Sequence, residues 1–168
     1  MLGVVFSSDL SWGNHVSYLL HKVSKRYYFI FQLVRVGLPS SDIIVIYCSI
    51  IRSILEYACP VWHCGLTRSQ SEDIERVQKR CLKIIYPALS YREALQISDL
   101  EKLSIRREHF VCKLFNDMKD TNHVLHDILP TRLSRITSTR NSYIYELPIA
   151  KTVRYSNSFI PYCIRKRY

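Results

Sequence analysis

The chain has 168 residues, a net charge of +10 and an apolar fraction of 48%. This length buries a hydrophobic core without disulfides, and the scarcity of glycine and proline argues against a strand-and-turn sandwich. No apolar run reaches the about 18 residues of a membrane span, and no secretory signal pattern follows Met1. We therefore predict an intracellular protein, in the nucleus or cytoplasm, whose six cysteines are reduced.

The first predicted element is a short strand in LGVVFSSDL, which ends in a polar turn. A long helix is predicted from Trp12 to Val36, because apolar residues recur there at helical spacing. Its predicted core-facing residues are Val16, Leu19, Leu20, Val23, Tyr27, Ile30, Phe31 and Val34. Gly37 and Pro39 are typical of helix ends, so the helix is expected to stop before them.

A second helix is predicted in SDIIVIYCSIIRSILEYAC, capped by Ser40 or Ser41 and broken or kinked by Pro60. It is apolar almost all round, which is typical of the centre of a bundle. A third helix is predicted in SEDIERVQKRCLKII, with acidic residues first and a basic stripe later, as the helix dipole favours. Its predicted buried residues are Ile74, Val77, Cys81, Ile84 and Ile85.

Two more helices are predicted, a short one in SYREALQI and a longer one from Asp99 to about Lys119. The residues of the longer helix that we predict to be buried are Leu100, Leu103, Phe110, Val111, Leu114, Phe115 and Met118. Arg106, Arg107 and Lys113 are predicted to project elsewhere.

Residues 130–168 carry eight basic residues and one acidic residue, which gives a charge of +7. TRLSRITSTRNS is predicted to be a loop, and YIYELPI and AKTVRYSNS are predicted to be short extended segments. SFIPYCIRKRY is predicted to start a helix. A basic stretch with interleaved tyrosines favours polyanions, nucleic acid before a membrane surface, although a solvated basic surface has the same composition.

The stretch RSILEYACPVWHCGL combines Cys59, His63 and Cys64, so it invites three interpretations. A structural zinc site needs four ligands, usually as two close pairs, and no second pair lies near. A nucleophilic cysteine needs a base and an electropositive, partly open setting, whereas the neighbours here are apolar. We therefore predict a buried helix end, with no metal site. Phosphate-binding loops, hydrolase motifs and an adjacent aspartate pair are likewise absent from the sequence.

Four stretches, taken in order, carry a family resemblance. They are RSILEYACPVWHCGLT, IERVQKRCLKIIY, SYREALQISDLEKLSIRRE and TVRYSNSFIPYCIRKR. They resemble the region after the catalytic palm of non-LTR retrotransposon (LINE) reverse transcriptases of the jockey and chicken-repeat kind. LGVVFSSDLSWGNHV is similar to the family's last palm strand and first thumb helix. One departure is Ser53, where the family often has proline.

The resemblance implies three regions: the end of a palm-like strand and turn (1–11), a helical thumb-like bundle (12–129) and a basic C-terminal extension (130–168). The expected fold is mainly α, a bundle of three long helices plus two or three shorter ones. A short N-terminal strand and an irregular basic tail complete it. No aspartate matches the family's metal-binding aspartates, so we expect no catalysis, no cofactor and no small-molecule substrate.

The thumb of this family holds the template–primer duplex behind the active site, so the resemblance implies weak, sequence-independent binding of RNA or RNA–DNA hybrid through backbone phosphates. The candidate contacts are Lys22, Lys25, Arg26, Arg76, Lys79, Arg80, Lys83, Arg154, Arg165, Lys166 and Arg167. All candidates within residues 130–168 are chosen on charge alone, and they also include Arg132, Arg135, Arg140 and Lys151. The alternative is an inert structural or protein-interaction bundle that does not bind nucleic acid by itself. A membrane role is not expected.

Overall fold

The structure is a computed structural model that describes residues 3–133 and 145–168. Within these ranges the regular elements are helices, and no strand is present beyond one isolated bridge between Arg132 and Tyr145. The predicted mainly-α fold is confirmed. The predicted N-terminal strand is not formed in the described residues 4–7, where the Val5 amide instead donates a hydrogen bond to His15 Nδ1 at 3.3 Å.

The chain divides into two compact units, each made of two segments. Unit 1 comprises Met1–Cys59 and Leu66–Arg106, and unit 2 comprises Pro60–Gly65 and Arg107–Tyr168. Residues 107–129, which we predicted to belong to the bundle, are thus grouped with the C-terminal extension.

Two helices replace the single long helix predicted at the N-terminus of unit 1. Helix α1 spans Gly13–Ser24 and α2 spans Tyr27–Arg35. At the junction the Arg26 amide bonds to the Val23 carbonyl at 2.8 Å, which is a tighter turn than an α-helix makes. Because our prediction assumed one continuous helix, it assigns the wrong helix face to residues after this turn. Phe31, which we predicted to be buried, is 50% exposed.

The apolar helix that follows is regular only in parts. Helix α3 (Ser40–Tyr47) continues through a wide π-type turn, Cys48–Arg52, into α4 (Ser53–Glu56). The wide turn suits the spacing of the buried side chains Tyr47, Ile51 and Leu55, which lie four residues apart. An α-helix would rotate such a series steadily away from the core, since it has 3.6 residues per turn.

The helix breaks before Pro60, not at it. Tyr57 is extended and Ala58 is left-handed with φ 51°, and Pro60 then lies inside the short helix α5, Cys59–Trp62. Taken together, Ser40–Gly65 is long and apolar enough to cross a membrane by length and composition, which corrects our count of apolar residues. In the structure 28% of its apolar window is buried, and Tyr47 and Leu55 are among the wholly buried side chains.

Helices α6 (Arg68–Ile85) and α7 (Tyr91–Ile97) complete most of unit 1. Each begins with a capping box, which Thr67 and Gln70 form in α6 and which Ser90 and Glu93 form in α7. The predicted α6 core is largely confirmed, with Ile74 and Cys81 wholly buried.

Helix α8 spans Leu103–Asp117, and the predicted start at Asp99 is too early because that residue is left-handed, with φ 50°. Unit 2 continues with α9 (Val153–Ser156), in a segment that we predicted to be extended, and α10 (Phe159–Lys166), which confirms the predicted C-terminal helix. The buried apolar cluster of unit 2 is Cys64, Val111, Phe115, Cys163 and Ile164.

Candidate nucleic-acid interface

Helices α1 and α2 pack beside α6 in unit 1, and this packing brings predicted cations next to aromatic rings. The guanidinium of Arg80 on α6 lies 4.6 Å from the ring centroid of Tyr27 on α2. Such a cation–π contact favours the charged guanidinium, whose N–H groups are suited to phosphate oxygens. Burial raises the pKa of the Tyr27 hydroxyl to about 12, so this side chain stays neutral.

A groove of about 610 Å³ opens where α2 meets α6. Its lining residues are Ser24, Tyr27, Tyr28, Phe31, Arg80 and Ile84. We call this set the aromatic groove. Tyr28 is 69% exposed and Phe31 is 50% exposed, so two large rings face solvent here with one fixed cation beside them.

The two chain segments that line the aromatic groove contain basic residues and no acidic ones. No Asp or Glu occurs between Asp9 and Asp42, a range that includes all of α1 and α2, nor between Glu75 and Glu93. The basic residues in these two intervals are Lys22, Lys25, Arg26, Arg35, Arg76, Lys79, Arg80, Lys83 and Arg92. A surface of this kind attracts polyanions.

The predicted cations of unit 1 have different surroundings, although most of them are exposed. Arg76 forms an ion pair with Asp73, and Lys83 Nζ donates to the Pro87 carbonyl at 2.7 Å. Lys79 lies 5.4 Å from the Tyr91 ring centroid, so it points toward α7 rather than the groove. The remaining predicted cations on or near α1 are Lys22, Lys25 and Arg26. Lys22 lies 5.7 Å from the centroid of the Tyr18 ring, and the Arg26 guanidinium donates to the Lys22 carbonyl.

The predicted C-terminal cations belong to unit 2. Arg165 donates to Asn157 Oδ1 at 3.0 Å, and Lys166 lies 5.7 Å from the Tyr162 ring centroid. Arg167 is left-handed at the end of α10, and Arg154 lines a shallow groove of about 520 Å³ with Gly65. Arg135 and Arg140 lie outside the described residues.

Unit 2 contains a cluster of polar side chains around His63, the histidine of the stretch RSILEYACPVWHCGL. His63 Nε2 is 2.8 Å from Glu108 Oε2, and Arg107 Nε is 3.4 Å from His63 Nδ1. Since a guanidinium only donates, Nδ1 must accept and the proton of the neutral ring must be on Nε2, where it is donated to Glu108. The Tyr162 hydroxyl donates to Glu108 at 2.8 Å.

We call these residues, with Tyr168 as a further hydroxyl donor to Glu108, the Glu108 cluster. Burial lowers the pKa of His63, and the hydrogen bond to Glu108 opposes that effect. Burial and the Glu108 carboxylate raise the pKa of Tyr162. In the cluster one carboxylate accepts from a neutral histidine and from two tyrosine hydroxyls, and the Tyr162 bond fastens α10 to α8 within unit 2.

Two parts of these sites were missed in the sequence. Arg107, predicted to project elsewhere, is wholly buried and its guanidinium lies 5.8 Å from the Trp62 ring centroid. Tyr28 was not selected, and Phe31 was assigned to the core. A signal for the aromatic groove existed, because YYFIF places five large apolar residues in succession and one face of a helix cannot bury all of them.

The cysteines give no sign of a reactive site. All six lie in the described residues and are thiols, without disulfides. Burial raises the pKa of Cys81 to about 12, which suppresses its thiolate. Within residues 3–133 and 145–168, no three His, Cys, Asp or Glu side chains are grouped so that they could hold a metal ion.

No protein-family model, no curated protein and no solved structure matches this chain. Its function is therefore inferred from its motifs and from the geometry of the described residues.

Proposed function

We propose that this chain is a non-catalytic, thumb-like piece of a non-LTR retrotransposon reverse transcriptase that holds nucleic acid through backbone phosphates. Two independent observations support the proposal. Four sequence motifs resemble that family in the correct order, and the part that resembles the thumb is helical, as a thumb is expected to be.

The observation that carries the binding part of the proposal is that α1, α2 and the part of α6 after Glu75 carry basic residues and no acidic ones. Phosphate contacts need exposed Lys and Arg without competing carboxylates, and the two acid-free intervals supply them. Arg80, held on Tyr27, and Lys83 lie three residues apart on α6, so their side chains are neighbours on the helix surface. Such an arrangement contains no donor–acceptor pattern that distinguishes one base pair from another.

The proposed partner is RNA or RNA–DNA hybrid, bound weakly and without sequence preference, in the nucleus or cytoplasm. A polymerase thumb slides along its duplex, so shape and phosphate contacts suit it better than base contacts do. Polymerisation needs metal ions held by carboxylates, and no aspartate here matches the family's catalytic ones. We therefore propose no enzymatic activity for the chain alone.

A filter-binding titration with RNA–DNA hybrid tests the proposal. With roughly six phosphates engaged, the affinity of the full chain is expected to fall about 10³-fold or more between about 50 and about 200 mM salt. Arg80→Gln combined with Lys83→Gln should weaken binding and flatten this slope by about two phosphates. Arg68→Gln combined with Lys102→Gln removes two exposed cations of unit 1 that lie outside the acid-free intervals, and it is the matched control.

Two results would contradict the proposal. One is a flat salt profile, and the other is equal weakening by the test and control pairs. Absence of any retention on the filter would favour the alternative, an inert structural or protein-interaction bundle.

A further inference from the structure

We infer that the aromatic groove is a binding site for an unpaired base, so that the chain holds single-stranded RNA or DNA in addition to duplex. This inference rests on the proposed function, because it assigns a specific ligand to one part of the proposed nucleic-acid surface. The unpaired base is assigned to the aromatic side chains, whereas the phosphates are assigned to the cations.

The first support is the exposure of the rings. Tyr28 and Phe31 lie three residues apart on α2, so they are neighbours on its surface, and both are at least half exposed. Exposed rings of this size leave much apolar area in water, and a base that stacks on them removes it. Every base has a π-face, so stacking tolerates any sequence.

The second support is the size and composition of the groove. Its volume of about 610 Å³ lies within the range of about 300–1,000 Å³ that is common for small-molecule sites. Its aromatic walls are combined with one cation, Arg80, which already stacks on Tyr27. Aromatic platforms beside a cationic track are what single-strand binding surfaces use.

The charges favour this occupant over a second copy of the chain. A two-fold dimer through the groove would place the same patch of both subunits together. Arg80, Lys25 and Arg26 of each copy would then face like charges, with no carboxylate of α1 or α2 to compensate. Duplex bases are stacked on one another and cannot enter the groove, so the occupant must be unpaired.

The test uses the full chain and a single-stranded RNA of about 12 nucleotides that carries a central 2-aminopurine, whose fluorescence falls when it stacks on an aromatic ring. We expect quenching with the unmodified protein. Tyr28→Ala combined with Phe31→Ala should abolish the quenching and weaken single-strand binding about tenfold, with little change in duplex binding. Circular dichroism confirms that each variant is folded.

The matched control is Phe29→Ala. Phe29 lies on the same helix and is 48% exposed, but it does not line the groove. This variant should keep both the quenching and the affinity. Equal losses in Phe29→Ala and in the double variant would overturn the assignment, because they would indicate a general effect on α2.

Other outcomes separate this inference from the proposed function. Salt-dependent duplex binding without quenching would overturn the unpaired-base site and leave the proposed function standing. Failure to bind either duplex or single strand would overturn both. A concentration-dependent dimer that the double variant abolishes would assign the groove to a second copy and overturn the inference.

Discussion

Two basic residue types, a neutral histidine (His63) and a charged arginine (Arg107), are hydrogen-bonded to each other in unit 2. Arg107 keeps its charge under all ordinary conditions, so its donation to Nδ1 at 3.4 Å requires a neutral imidazole. The guanidinium also covers Trp62, which combines a polar contact with an apolar one. A histidine in this position is a structural hydrogen-bonding residue rather than a general base, because both ring nitrogens are already engaged.

Acid should weaken unit 2 through His63. The folded state lowers the pKa of His63 below its ordinary value of 6.5, so the unfolded chain takes up the proton first. The stability that this residue contributes is therefore complete above about pH 6.5 and is lost as the pH falls through the lowered pKa. The groups that face it are Arg107, Glu108 and Lys166, and the two cations oppose its protonation.

Urea unfolding, followed by Trp62 fluorescence in a Trp12→Phe background, measures this effect. We expect the urea midpoint to fall between pH 7.5 and pH 5.5, and His63→Gln to reduce the fall, with the buried His15, whose pKa is also lowered, responsible for a further part. His21→Gln, at an exposed position of α1, should leave the fall unchanged. A midpoint independent of pH in the unmodified chain would show that His63 is not held neutral.

At the scale of the helices, Ala58 is the most informative position. It is left-handed with φ 51° and makes the break between α4 and α5 possible. A non-glycine residue in this conformation costs about 1–2 kcal/mol, and glycine avoids most of that cost. After allowing for the greater freedom of glycine in the unfolded chain, we expect Ala58→Gly to raise the free energy of unfolding by about 0.5–1 kcal/mol.

Ala88→Gly is the matched control, because Ala88 is an exposed turn residue that does not have a positive φ. There the same substitution should lower the free energy of unfolding by about 0.4–1 kcal/mol. Chemical denaturation of both variants checks the two opposite signs. A loss of stability in Ala58→Gly would mean that the break does not depend on a strained residue.

The presence of the helices could be predicted from the sequence, but the breaks within them could not. Thr67 and Ser90, with Gln70 and Glu93 three residues later, carry a local signal that identifies the starts of α6 and α7. The tight turn at Arg26 and the left-handed Ala58 carry none, because neither residue type is specific for such a conformation. Tertiary packing selects these breaks, and Pro60, the residue that looked like a breaker, fits inside α5.

At the scale of the whole molecule, burial sorts the six cysteines into two groups. Cys48 and Cys112 are partly exposed, whereas the other four are buried. Burial raises the pKa of Cys48, and nearby Arg52 opposes this effect. In the folded chain, iodoacetamide should therefore modify Cys112 first and Cys48 more slowly, as seen by mass spectrometry of peptides.

The remaining cysteines should react only after denaturation, because their thiols are out of reach of the reagent. Guanidinium chloride is expected to expose all six to similar labelling rates. Fast modification of Cys81 without denaturant would contradict the packing of α6, since that thiol is wholly buried and its pKa is about 12.

The candidate interface was predictable in its charges but not in its aromatic lining. Lys and Arg are recognisable one at a time, and the stripe on α6 follows from helical spacing alone. The exposure of Phe31 depends on how α2 is turned at Arg26, and the burial of Arg107 depends on where α8 meets Trp62. Both are long-range properties of packing, which no single helix pattern contains.

The acid-free interval between Asp9 and Asp42 has a consequence for how the protein responds to its surroundings. That interval has no side chain that could lose a negative charge on acidification, so mild acid can only make it more cationic. Its attraction for polyanions should therefore persist under conditions in which the His63 contacts begin to fail. His15 lies in the same interval and burial lowers its pKa, so acid adds charge to the proposed binding surface while it weakens the hydrogen bond from the Val5 amide to that imidazole.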